Sequence, residues 1–382
     1  MQVSELTDER LRHLAEVRPP RGKVLSLFLN LDPSEFGTPQ ARSTEIRSLL
    51  DAADRRVRHE SNGLSHDELI ALRQDVARAR EYFEGSFSAE GAHGMALFCC
   101  SPVDLFEAIR LARPVSTEVV IADTPYVEPL AALRSAGRWC VALINRAHAR
   151  VLVGTAESMR EVEQIKDDVH RWHDQGGWSQ ARYQRGIENE VNEHVKRAAD
   201  VLFRRHQRTP FDRLVIGTPE ELWPVVEHDL HSYLRERIAG RIHVDIENAT
   251  VDEIHRAAIP VFEADELRHE REALDRLNEG LASGRHAAAG LEDVLEALTE
   301  RRVEVLLVAD GYRAPGTRCP KCGWLGPSGR SECPADGTAL KDCEDVVDEA
   351  IQAALGQSAE VIFVRHNPDL GPLGSIGAVL RF

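Results

Sequence analysis

Gly176-Gly177-Trp178-Ser179-Gln180-Ala181-Arg182-Tyr183-Gln184-Arg185 is the stretch from which the organisation of this chain can be read outward in both directions. Two adjacent glycines between a polar segment and a helix permit positive φ, keep the segment thin and let backbone N–H groups approach a ligand. The helix predicted to follow, from about Gln184 to His206, opens with unpaired N–H groups that favour an anion. Basic residues lie on both sides: Arg171 and His173 before the glycines, Arg182 and Arg185 after them, then Lys196, Arg197, Arg204, Arg205 and Arg208 along the helix. Glu188, Glu190 and Glu193 interrupt that run, so it is striped rather than uniformly basic. A Gly-Gly pair alone describes any surface loop that caps a helix, and its neighbourhood has to decide.

Upstream, Trp139-Cys140-Val141-Ala142-Leu143-Ile144 and Ala149-Arg150-Val151-Leu152-Val153-Gly154 read as a hairpin of buried type. Downstream come a strand at Leu214-Val215-Ile216-Gly217, a helix over 219–238 and a strand at Ile242-His243-Val244-Asp245-Ile246. Strands alternating with helices predict a mixed sheet covered by helices. Toward the N-terminus, the run Val24–Leu31 ends at Asp32-Pro33 and reads as a strand. Helices follow at 40–58 and 66–85, the second with a capping start at Ser65-His66-Asp67-Glu68. Strands at Gly94–Cys100 and Leu105–Leu111 complete a small α/β domain that closes at the Pro-punctuated Thr124–Pro129. Toward the C-terminus, a helix from near Asp265 leads to a helix at 290–301 and a strand at 303–308. A cysteine-bearing insert follows, then a helix at 344–355, a strand at 360–364 and a Gly-rich turn into 376–382. A chain of 382 residues exceeds one core at roughly 150 residues per domain. The prediction is an α/β protein of three domains, 1–130, 131–260 and 261–382, with the insert at 316–343.

The hydrophobic share of 42% and charged share of 29% are those of a globular protein. No apolar run approaches the ~18 residues that span a bilayer. The opening MQVSELTDERLRHL lacks the apolar stretch of a secretory signal, so a cytoplasmic location without membrane attachment is expected. A net charge of -16 argues against a protein that coats nucleic acid non-specifically, and no DNA partner is expected. A local basic patch is compatible with that acidity.

The stretch around the glycines resembles the catalytic domain of the archaeal and eukaryotic class-1 peptide chain release factors. In that family a strand pair precedes a basic loop with Gly-Gly-Gln, then Ser, a small residue, Arg, an aromatic and a second Arg. The strand pair ending at Gly154, the long helix and the strand Leu214–Gly217 fall in the same order here. The third segment resembles the family's C-terminal domain, of the kink-turn-binding ribosomal-protein type, through Leu291-Glu292-Asp293-Val294-Leu295-Glu296-Ala297-Leu298 and the closing Gly374–Phe382. The resemblance spans residues 130–382, and the bacterial members likened to Vms-type peptidyl-tRNA hydrolases, related to Pelota and Balon-type factors, are the most similar. It implies a ribosomal partner (large-subunit rRNA and peptidyl-tRNA) and leaves delivery by a translational GTPase open. It implies Gly176, Gly177 and Gln180 as the hydrolytic residues, with Arg171, Trp178, Arg182 and Arg185 as RNA contacts. One departure matters: Trp178 stands where the family has its water-placing glutamine, and Gln180 lies two residues later. Gln180 either takes that role or starts the helix facing solvent; Trp178 either stacks on a base or packs the loop down. The first domain has no counterpart of the family's stop-codon motifs. Hydrolysis of the peptidyl-tRNA ester without codon reading, as in ribosome rescue, is therefore the expected activity. The alternative is a non-catalytic factor that occupies the A site during hibernation or stress.

Four of the seven cysteines cluster near the C-terminus. Cys319-Pro320-Lys321-Cys322-Gly323 is a knuckle that presents two thiolates to one tetrahedral metal. Cys333-Pro334-Ala335-Asp336-Gly337 copies it with an aspartate in the second ligand position. A structural zinc held by Cys319, Cys322 and Cys333 is expected, with Cys343 favoured over Asp336 as fourth ligand because thiolate is the commoner choice. Cys99, Cys100 and Cys140 sit in strand-like surroundings and read as buried thiols. The Gly217-Thr218-Pro219-Glu220-Glu221 turn lacks the lysine and second glycine of a nucleotide loop. The His170, His173 and Asp174 spacing is too weak to name a metal site.

Overall fold

The computed structural model describes residues 4–60, 64–89, 92–111, 113–135, 137–156, 158–167 and 180–382. The chain divides into two compact units, one of Met1–Ser135 with His269–Phe382 and one of Ala136–Arg268. Among the described residues no helix is long and apolar enough to cross a membrane.

The first unit holds two large sheets. In the N-terminal one the strand order is Ser4–Glu5, Leu105–Leu111, Gly94–Cys100, Val24–Asn30, Glu118–Ala122. Its central pair is antiparallel, with Leu27 opposite Leu97. Both faces are covered, which is why Val24–Asn30 reads as an almost unbroken apolar run rather than an alternating one. Leu25, Leu27 and Leu29 meet Leu49, Leu50, Leu72 and Val76 of the helices Pro39–Glu60 and His66–Gly85. The second helix has the predicted capping box: Ser65 Oγ accepts from Glu68 N–H, and the Glu68 carboxylate accepts from Ser65 N–H.

The opposite face carries Phe28, Ala96 and Phe98 into a cluster that continues through Tyr126 to Val347, Ile351, Leu306 and Ile376. N-terminal and C-terminal segments thus share one core. The C-terminal sheet has the order Ala287–Ala289, Ile376–Leu380, Val303–Ala309, Glu360–Val364. Helices Leu291–Thr299 and Val346–Gly356 contribute to the shared core, while Ala273, Leu274 and Leu277 cover Val305 and Leu307 in a separate cluster.

A buried polar network joins the two segments. The Asp348 carboxylate accepts from Val127 N–H (3.2 Å) and Glu128 N–H (3.0 Å), at the start of helix Glu128–Ser135, and from Gln352 Nε2 (2.6 Å). Gln352 also donates to Thr124 Oγ1 and the Pro125 carbonyl, and Thr124 donates to Glu349. Burial, with the neighbouring Glu349 charge second, pushes the Asp348 carboxyl up to about 8.

The second unit is built on the sheet Ile238–Ile242, Arg213–Gly217, Trp139–Ile144, His148–Gly154, Met159–Lys166, in that order. The first three strands are parallel and the last two join as antiparallel hairpins. Alternate residues of the central strand face opposite layers, as a period of two requires. Cys140, Ala142 and Ile144 meet Val191, Val195, Ala198 and Leu202 of helix Gln180–Arg208, whose apolar residues recur every three or four positions. Trp139, Val141 and Leu143 lie in the cluster of Ile254, Ala258 and Phe262.

Several elements differ from the sequence reading: Glu118–Ala122 and Met159–Lys166 are strands that it did not assign. The last strand of this sheet is Ile238–Ile242 rather than 242–246, and the predicted helix before it is split into Trp223–Asp229 and Ser232–Arg235. At Gly240 the strand backbone runs close against the following helix: a Cβ there would lie 2.6 Å from Val261 Cγ1. That helix starts at Val251, not near Asp265, and continues through Pro260 to Ala282.

Candidate functional site

Of the residues singled out around the glycines, Arg171, Gly176, Gly177 and Trp178 lie outside the described residues, as do His170, His173 and Asp174. Gln180 is the first residue of helix Gln180–Arg208, with Arg182 and Arg185 in its first two turns; their side chains lie outside the description. The elements that flank this segment in the sequence are among the described residues. Strand Met159–Lys166 is followed by Asp167, whose N–H donates to the Ala147 carbonyl at 2.8 Å. The Asp167 carboxylate accepts from Arg197 Nη1 (2.5 Å) and pairs with His194 Nδ1 (2.6 Å). His194 and Arg197 are three residues apart, hence neighbours on one helix face. The His194 side chain is fully buried and that of Arg197 is about half exposed.

This latch meets the helix fourteen residues (194 − 180) after its start, about 21 Å along the axis at 1.5 Å per residue. Among the helix's described side chains, Val191 is the first that is buried. The opening turns are therefore held from below, by the sheet and the latch. No sequence reasoning had isolated Asp167; the signal available was a histidine and an arginine at i and i+3 on a striped helix.

The hairpin beneath is braced by Arg150, whose side chain is only 7% exposed. Its guanidinium makes a two-point contact with Glu161 (3.0 and 2.8 Å) and donates through Nη1 to the carbonyls of Ile246 and Ala249. Every face of that group is occupied within the fold, so Arg150 is a bracing residue and not one that meets a ligand.

The second candidate centre is the cysteine insert. Strands Gly316–Arg318, Leu325–Pro327 and Lys341–Cys343 form a small antiparallel sheet. Its two knuckles are near copies. Gly323 N–H donates to the Cys319 carbonyl and Gly337 N–H to the Cys333 carbonyl, at 3.1 and 2.9 Å. Both glycines have positive φ, +78° and +71°, which the turn requires. The ligand atoms of Cys319, Cys322, Cys333 and Asp336 all lie within 4.8 Å of one another. Cys322 Sγ is 3.5 Å from Cys333 Sγ, and Cys319 Sγ is 3.7 Å from Asp336 Oδ1. Sulfurs arranged tetrahedrally at ~2.3 Å from zinc stand roughly 3.8 Å apart, so this donor set fits such an ion. Burial works against ionisation of Cys319, but N–H groups of Cys322 and Lys321 outweigh it and hold the thiol below its ordinary range. The N–H of Thr338 does the same for Asp336.

Cys343, the favoured fourth ligand, is not in the group. Its strand pairs it with Gly316, and its thiol lines a cleft of about 650 Å³ with Arg18, Asp123 and Arg318, where burial pushes it up to about 12. The physical reason is turn geometry: the knuckle brings residue i+3 back to residue i, which is Cys322 in one copy and Asp336 in the other. Cys99 and Cys140 are buried and raised by burial, as their strand context predicts.

Comparison with known proteins bears on the second unit most directly. The description "bacterial archaeo-eukaryotic release factor family 10" matches residues 125–263. Across its length the chain is similar to peptide chain release factor subunit 1 of Thermococcus sibiricus, with 23% identity over 420 residues covering 98% of this chain and 96% of that one. A short stretch is 52% identical over 46 residues to a Pelota homologue of Archaeoglobus fulgidus, covering 12% and 13% of the two chains. Among solved structures, Saccharomyces cerevisiae Dom34 aligns with a TM-score of 0.42 and 10% identity, over 73% of this chain and 74% of its own.

Proposed function

We propose, because this chain belongs to the archaeal release factor 1 and Pelota-like family, that it works on the ribosome and hydrolyses the peptidyl-tRNA ester without reading a codon. The observation that carries this reading is the placement of Gly176-Gly177 immediately before a helix whose opening turns stand about 21 Å from the Asp167 latch. A glycine pair that precedes a braced helix in the sequence suits insertion into a narrow RNA-lined pocket.

In this reading a carboxamide supplied by Gln180 orients the attacking water, since it both donates and accepts without titrating. Backbone N–H groups of the glycines stabilise the oxyanion as the ester carbon becomes tetrahedral. Water adds to that carbon, the bond to the ribose oxygen breaks, and the proton from water ends on the departing hydroxyl. Arg171, Arg182 and Arg185 meet phosphates, and Trp178 faces a base or the terminal adenosine. The partners are large-subunit rRNA and peptidyl-tRNA, with a translational GTPase as carrier, and the compartment is the cytoplasm. Zinc in the Cys319, Cys322, Cys333 and Asp336 group is structural: four protein ligands close the site and leave no position for substrate.

The test is peptide release from ribosomes carrying peptidyl-tRNA. Wild type should release peptide, and Gly177→Ala and Gln180→Ala should each lose on the order of 100-fold or more, as removal of an oxyanion or water-placing group does. Equal inactivity of wild type and both variants rejects the hydrolase reading. A second reading, A-site occupation without chemistry during hibernation or stress, is favoured by one observation: Trp178 occupies the position directly after the glycines. Stable cosedimentation with idle ribosomes and no ester cleavage would select it.

A further inference from the structure

Three aromatic rings stand nearly parallel on the second unit. Phe203 stacks on His231 with centroids 4.0 Å apart and planes 9° from parallel, and His231 stacks on Tyr233 at 5.2 Å and 13°. The fold accounts for the first two. Phe203 packs against the core under helix Gln180–Arg208. His231 caps the short helix Ser232–Arg235 by accepting Tyr233 N–H through Nδ1 at 3.4 Å, so its ring is oriented by backbone. The last ring is not explained by packing: Leu234 anchors that helix in the core, while Tyr233 is 58% exposed and stands outside the apolar cluster.

In a chain of net charge -16, the helix that carries Phe203 places Arg204, Arg205 and Arg208 close to it in sequence, while Arg197, further back, is taken up by Asp167. Arg237 donates to the Tyr233 carbonyl at 2.6 Å, which fixes a guanidinium beside the backbone of the exposed ring. Glu227, Asp229 and Glu236 flank His231 and Tyr233 in the sequence, so charge is not the dominant feature here.

We propose that the run Phe203, His231, Tyr233 is a platform for an unpaired nucleobase of RNA, which lies on the outer face of Tyr233 and adds a fourth ring to the stack. Every base presents a π-face, so recognition is tolerant of sequence and needs a single-stranded or splayed base. A pre-oriented ring keeps the ordering cost low. Stacking leads and charge follows, so the salt dependence should be shallow compared with that of a phosphate-binding surface.

The experiment uses the full chain and a labelled single-stranded oligoribonucleotide of mixed sequence, read by fluorescence anisotropy. Tyr233→Ala should weaken binding roughly ten-fold. Tyr233→Trp should retain or tighten it, and Tyr233→Leu, apolar but without a π-face, should behave like the alanine variant. A fully paired RNA of equal length should not distinguish the four proteins. Unaltered thermal melts would show that Leu234 still holds the helix. Wild-type affinity in the alanine and leucine variants overturns the proposal. So does loss of ribosome cosedimentation with unchanged oligonucleotide binding, which would assign the ring to a protein surface. Peptide release is read in neither arm, so this inference and the hydrolase reading fail separately.

Discussion

Asp336 shows what one residue decides. It sits where a fourth cysteine would complete a symmetrical pair of knuckles, and its carboxylate is held below the ordinary range by the Thr338 N–H. Its oxygens lie with the three thiols, whereas Cys343 lies across the small sheet from Gly316. Asp336→Ala should weaken zinc binding by more than the roughly 10–100-fold that loss of an outer-shell partner costs. Asp336→Cys should bind at least as tightly as wild type, and Cys343→Ser should leave affinity unchanged. Competition against a chromogenic chelator measures all three, and a large loss in Cys343→Ser would reinstate that thiol as the ligand. The preference for thiolate over carboxylate is a property of zinc sites in general. The position of Asp336 is a property of this turn, and here the turn prevails.

At the scale of elements, the hairpin His148–Gly154 with Met159–Lys166 and the helix Gln180–Arg208 flank the glycine segment in the sequence. Two ionic contacts tie them to their neighbours. Arg150 ties one strand to its neighbour and to the carbonyls of Ile246 and Ala249, and Asp167 ties the end of the hairpin to the helix through His194 and Arg197. Breaking a buried pair from one side leaves the other charge without compensation and costs about 3–5 kcal/mol. Arg150→Ala breaks the pair and also leaves the Ile246 and Ala249 carbonyls without their donor, and should destabilise the protein by about 3 kcal/mol in urea unfolding. Glu161→Ala should cost less, because Glu161 is 26% exposed and water can replace part of what it supplied. Equal and negligible losses would mean that the brace is idle. The strand His148–Gly154 and the helix were legible from their periodicity; Met159–Lys166, which reads as a polar stretch, was not, and neither were the contacts. Arg150 was visible only as a polar residue inside an apolar strand, and Asp167 only as the end of a polar stretch.

At the scale of the molecule, the first and third segments are joined across more than two hundred residues of sequence. Asp348 receives the N–H groups of Val127 and Glu128, and Gln352 reaches Thr124 and Pro125. Asp348 is pushed up to about 8, first by burial and then by the Glu349 charge, well above the ~3.9 of a free aspartate. In the window between those values the folded state holds a proton that the unfolded state has released. The contribution is fully present below about pH 4 and is lost as pH rises through about 8. Urea midpoints should accordingly fall from pH 6 to pH 8.5, and Asp348→Asn should flatten that slope; an unchanged slope in the variant would assign the dependence to another group. By itself the sequence determined most of the strands and helices, the two cysteine knuckles, and which family the middle segment resembles. Those depend on side-chain period, turn chemistry and local spacing, all of which are written within about ten residues. Only the tertiary structure decided that Asp336 and not Cys343 joins the thiol group, that Asp167 latches onto His194 and Arg197, and that the two ends of the chain share a core. Each of those is a choice of partner over long sequence separation, made by shape and burial after the elements exist.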